Sequence, residues 1–127
     1  MSKCMKKMSL ILCCCMVLSM LCTFSVKAAS ADFSYDTTSK TNIVAIYNNY
    51  NPSGVTVSVN TRPTAGVGGA KVTFETASGT IVASQKFPFQ VSIPDYSVTV
   101  PFGEIWYIYI QPGVSDQRIA GVLTCSY

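Results

Sequence analysis

The chain has 127 residues, with nine basic and six acidic side chains, six cysteines and no histidine. Four of the basic residues (Lys3, Lys6, Lys7, Lys27) and five of the cysteines precede Ala29, so the remainder holds five cations, six anions and a single cysteine, Cys125. That balance removes the cationic footprint expected of a nucleic-acid binder, a lone cysteine excludes an internal disulfide, and without imidazole a Ser or Cys nucleophile lacks its usual base.

At the N-terminus, Lys3, Lys6 and Lys7 are followed by 19 uncharged residues from Met8 to Val26, and Val26-Lys27-Ala28 sets small residues at minus three and minus one of a cleavage point. A positive start, an apolar middle and small residues at the end make an export signal. Residues 1–28 are therefore expected to be a cleaved signal peptide, and 29–127 a single secreted, extracellular domain. The alternative is an uncleaved anchor, since the apolar run is long enough to reach across a bilayer core. In either case the domain faces outward, and membrane contact is expected only through this segment.

From Ala29 onward the pattern has a period of two, which on a strand separates a wet face from a dry one. Runs are predicted near Phe33 to Thr37, Asn42 to Asn48, Val55 to Thr61, Lys71 to Thr76, Thr80 to Phe87, Tyr96 to Val100, Glu104 to Ile110 and Arg118 to Cys125. Asn42 to Asn48 and Ile105 to Ile110 are apolar on both faces and read as central strands. Asn51 to Gly54 reads as a turn, Ser78-Gly79 as a two-residue hairpin loop, and Pro112-Gly113 as a type II turn with positive φ at Gly113. Pro88 and Pro94 mark an edge or a crossover between sheets. Seven to eight short strands predict an all-β, antiparallel two-sheet sandwich, immunoglobulin-like or jelly-roll-like. The stretch from Ser97 to Tyr107 resembles the late hairpin of extracellular immunoglobulin-like modules, although the cysteines that flank a core tryptophan there are absent.

Chemistry is thinly supplied. Asp32, Asp36, Glu75, Asp95, Glu104 and Asp116 fall at strand ends, in turns or on polar faces, where solvated charge is the rule, so no catalytic residue is assigned and no enzyme is expected. No cofactor is implied. The acidic residues lack the spacing of an EF-hand, and one cysteine without histidine does not make a zinc site, so no metal is expected either. Gly66-Val67-Gly68-Gly69 lacks the lysine and following helix of a phosphate loop and reads as a flexible connection. Cys125 follows Ile119, Gly121 and Leu123 at strand spacing and reads as a small core residue.

Aromatic residues stand above this background. In Ile105 to Ile110, Trp106, Ile108 and Ile110 share one face, while Ile105, Tyr107 and Tyr109 share the other. With the tryptophan face as core, Tyr107 and Tyr109 become candidate binding residues for a sugar ring or a protein surface. Asn48, Asn49 and Tyr50 form a second polar-aromatic candidate in a loop. The expectation is a secreted, non-enzymatic β-sandwich that binds a surface glycan or protein through one of these groups. The alternative is an exported antagonistic or self-associating matrix protein built on exposed edges and apolar faces.

Overall fold

The computed structural model describes residues 29–127, so the expected signal peptide lies outside the described residues. Eight strands follow in chain order: β1 (Ser30–Thr37), β2 (Thr41–Tyr47), β3 (Val55–Thr61), β4 (Ala70–Thr76), β5 (Ile81–Phe87), β6 (Tyr96–Val100), β7 (Ile105–Pro112) and β8 (Ile119–Ser126). They form two four-stranded sheets, ordered β1-β8-β3-β6 and β2-β7-β4-β5. All pairings are antiparallel. β1 pairs with β8, β2 with β7, β3 with β6 and β4 with β5, so the chain is one long hairpin rolled into two layers, and the β3–β8 and β4–β7 pairings complete each sheet. This is the jelly-roll arrangement.

The immunoglobulin-like resemblance does not survive. β6 and β7 lie in opposite sheets, so the stretch from Ser97 to Tyr107 is a crossover and not a hairpin. The segment 88–95, with Pro88 and Pro94, likewise carries the chain from one sheet to the other. β2 is also not central; it is an edge strand. Its continuous apolar run joins a bulge at Ile43, where the register steps from Asn42 to Val44, to Ala45 and Tyr47 on the outer face. An inserted residue breaks the alternation and mimics a strand buried on both sides. The strand truly enclosed on both faces is β4, whose outward Thr73 and Glu75 are buried along with its inward Val72 and Phe74.

Between the sheets lie Val57, Val59, Val72, Phe74, Phe87, Ile108, Ile110, Ile119, Leu123 and Cys125, all essentially inaccessible to solvent. Such burial contributes about 1.5 to 3 kcal/mol for each large apolar side chain. Cys125 makes no disulfide among the described residues, so this close packing is the main support of the domain. The buried Cys125 thiol is pushed up to about 12 by desolvation, which makes it inert packing material. Trp106 only partly joins the core; its indole N–H donates to Glu104 Oε1 at 2.8 Å near the surface.

Three connections differ from the sequence expectation in informative ways. The β4–β5 hairpin closes through three residues, Ala77-Ser78-Gly79, because the Thr76 N–H bonds to the Thr80 carbonyl at 2.9 Å; Gly79, at φ 91°, supplies the left-handed step of a type I turn with a bulge. Gly113 has no positive φ and is needed for close approach instead, since a Cβ there would stand 2.2 Å from the Gly68 carbonyl oxygen. That contact also pins the glycine-rich 66–69 segment. Gly113 N–H donates to Gly69 O at 2.9 Å and Gly68 N–H to Gln117 Oε1 at 2.9 Å, so the expected flexible loop is a docked corner.

Candidate binding face

β7 runs through the interior of the β2-β7-β4-β5 sheet with Ile105, Tyr107, Tyr109 and Gln111 directed outward. Register fixes their neighbours. Tyr107 lies between Ala45 of β2 and Glu75 of β4, and Tyr109 between Asn42 and Thr73. Both tyrosines are half-buried. Small or polar flanking residues leave the two rings as the main relief of the middle of the face.

A charge pair underlies this relief. Glu75 is only 5 % exposed although it points away from the core. Lys40, in the turn between β1 and β2, forms an ion pair with Glu75 Oε2, and its ammonium stands 4.7 Å from the centroid of the Tyr109 ring. The Thr73 hydroxyl donates to the same carboxylate oxygen at 3.3 Å. The carboxylate thus exchanges solvent for an ammonium and a hydroxyl, and Tyr109 gains a cation over its face. Lys40 thus stands over the Tyr109 ring, whereas among the described residues no cation is placed over Tyr107.

Along β7 the face changes character. Toward Tyr47, Ile105 and Ile81 it is apolar, with Tyr47 and Ile81 45 % and 55 % exposed. Toward Gln111, Lys71 and Lys86 it is polar and cationic, for Lys71 is the cross-strand partner of both Gln111 and Lys86. A shallow groove of about 370 Å³ opens at this end, between Thr38-Ser39-Lys40 and the loop from Gln111 to Asp116.

The loop candidate divides. Asn48 is fully buried: its Nδ2 donates to the carbonyls of Asn51 and Val100, each at 3.0 Å, and its Oδ1 accepts from Asn51 N–H at 3.0 Å. Its amide is wholly engaged in shaping the loop, so it positions the segment and cannot contact a partner there. The Tyr50 N–H also donates to Oδ1 at 3.4 Å, and a side chain that satisfies four backbone groups inside the fold replaces the water they would need. Asn49 and Tyr50 are exposed, and partial burial raises the Tyr50 phenol above its ordinary value. The loop meets the start of β7 through Asn48 N–H to Glu104 O at 3.0 Å and Gly103 N–H to Asn48 O at 2.7 Å. It therefore sits at the end of the sandwich, while Tyr107 and Tyr109 occupy its side.

Lys40, Lys71, Glu75 and Lys86 were not singled out from sequence as parts of this face. The alternation in Lys71-Val72-Thr73-Phe74-Glu75 does give their side of the strand, but only the strand order reveals that β7 lies beside them. Among the described residues, no group of three or more His, Cys, Asp or Glu side chains is placed to hold a metal ion.

No protein-family model and no curated protein sequence matches the chain. Among solved structures, one described as "Bacillus endospore appendages form a novel family of disulfide-linked pili" aligns with a TM-score of 0.45 at 16 % identity, over 88 % of this chain and 97 % of that one.

Proposed function

We propose that this is an exported, non-enzymatic binding protein that takes a cell-surface glycan or protein on the outer face of the β2-β7-β4-β5 sheet. The observation that carries the reading is the pair Tyr107 and Tyr109, neighbours on one side of an interior strand, beside an ion pair between the exposed Lys40 and the buried Glu75. Aromatic rings fixed on a rigid sheet bind with little loss of conformational freedom. Export rests on the sequence of residues 1–28. The test is binding to purified cell walls and to an array of immobilised glycans by the natural protein and by a Tyr107→Ser, Tyr109→Ser variant. Loss of binding with an unchanged melting temperature supports the reading; equal binding by both refutes it.

A second reading, self-association into a matrix, rests on the free edge of β1. Its eight residues pair with β8 in unbroken register, whereas β2 and β5 carry bulges and β6 is bounded by Pro94 and Pro101. An edge without bulge or proline is open to a further strand. Sedimentation across a concentration series decides between them, since the binding reading keeps one species and the matrix reading gives growing assemblies.

A further inference from the structure

We infer that the ligand of this face is an anionic glycan, with its acidic groups on Lys71 and Lys86 and a sugar ring on Tyr107. The inference rests on the binding-face reading and adds the ligand's chemistry. Lys71 and Lys86 are directly opposed across β4 and β5, an arrangement that is destabilising for like charges. Among the described residues neither forms an ion pair, and the acid nearest along the face, Glu75, is already joined to Lys40. Three of the five cationic side chains after Ala29 thus belong to one sheet face or its bordering loops, against two acids, Glu75, which is paired with Lys40, and Asp116 of the β7–β8 loop. A bound carboxylate or phosphate would remove the repulsion and accept charge-assisted hydrogen bonds from both ammonium groups. Ser84 and Gln111, beside the lysines, supply a hydroxyl and an amide suited to sugar hydroxyls.

Two other acidic occupants fit less well. A second copy of this chain would offer its exposed carboxylates, of which three on the outer face of the β1-β8-β3-β6 sheet already hold partners within the chain. Asp36 accepts from Arg118 at 2.8 and 2.9 Å, Asp32 from Thr124 at 2.7 Å and Asp95 from Asn60 at 2.6 Å. An anionic lipid surface would call for apolar side chains beside the cations, whereas the exposed Ile81 and Val82 lie at the far end of β5 from Lys86.

The protein obtained by expressing the full chain is titrated with polygalacturonate, poly(glycerol phosphate), neutral dextran and phosphatidylglycerol vesicles. The expected result is binding to at least one acidic polymer, weakening as salt is raised, and no binding to dextran; the polymer bound tells carboxylate from phosphate. Lys71→Gln with Lys86→Gln should weaken that binding about tenfold or more and leave the melting temperature unchanged or higher. Failure to bind either acidic polymer, equal binding to dextran, binding to vesicles alone, or self-assembly abolished by the lysine changes would each overturn the inference. If the lysine variant binds like the natural protein while Tyr107→Ser does not, the anionic assignment fails and the binding face stands. If neither variant changes the binding, the face itself is wrong.

Discussion

Tyr35 offers a quantitative probe of how the two central strands of the first sheet are held. From β1 its ring crosses Gly121 of β8, and its hydroxyl meets Thr61 Oγ1 of β3 at 2.8 Å, while the Thr61 hydroxyl donates onward to Val122 O at 2.8 Å. A Cβ on residue 121 would fall 2.8 Å from Tyr35 Oη and 3.1 Å from Cζ. In Gly121→Ala the ring must therefore move, losing a buried hydrogen bond worth about 1 kcal/mol and adding about 1 to 3 kcal/mol of overpacking. The expected destabilisation is about 2 to 4 kcal/mol in urea unfolding, and each kcal/mol lowers the melting temperature by about 4 to 8 °C. Tyr35→Phe alone should cost about 1 kcal/mol, because Thr61 keeps its own acceptor. In the double variant the closest atom is gone, so the combined cost should fall short of the sum by about 1 kcal/mol. Strict additivity, or a neutral Gly121→Ala, would refute this account of the crossing.

Other consequences follow from burial. Asn48→Ala should cost about 2 to 4 kcal/mol because it strands Val100 O and Asn51 N–H, while the exposed Asn49→Ala stays within about 0.5 kcal/mol, both read by urea unfolding. Trp106→Ala should cost less than the roughly 3 to 5 kcal/mol expected for Phe74→Ala, since only the phenylalanine is fully enclosed. Cys125 should resist thiol reagents until the protein is denatured, and melts with and without reductant should superimpose. Because its folded pKa of about 12 lies above the ordinary 9.0, its contribution is intact below pH 9.0 and lost as pH rises toward 12. Stability should fall over that window by about 1.4 kcal/mol per pH unit, less steeply in Cys125→Ala. Tyr35 and Tyr50, also raised by burial, add to the loss above pH 10.0.

The strands were largely legible because alternation reports which side chains are wet. Val55–Thr61 and Tyr96–Val100 match their predicted bounds, and β1 begins earlier only because Ser30, Ala31 and Asp32 pair with Ser126, Cys125 and Thr124. Alternation does not say which strand lies alongside. For that reason the jelly roll could not be told from an immunoglobulin-like sandwich, and the bulge at Ile43 disguised an edge strand as a central one. Tyr107 and Tyr109 could be placed on one side of β7 from their spacing, but Lys40 and Glu75 meet them across other strands and a turn. Asn48 looked like a loop polar group, and only the positions of Val100 and Asn51 reveal it as a buried brace.

The central claim, that the outer face of the β2-β7-β4-β5 sheet is the binding surface, is tested most directly by mapping amide and tyrosine-ring NMR shifts as surface material from the producing cells is added. The account predicts that perturbations gather on Ala45, Tyr107, Tyr109, Lys71 and Ser84. Perturbations gathered instead on Ser34, Thr124 and Ser58 of the opposite sheet, or on Asn49 and Tyr50 at the sandwich end, would contradict it.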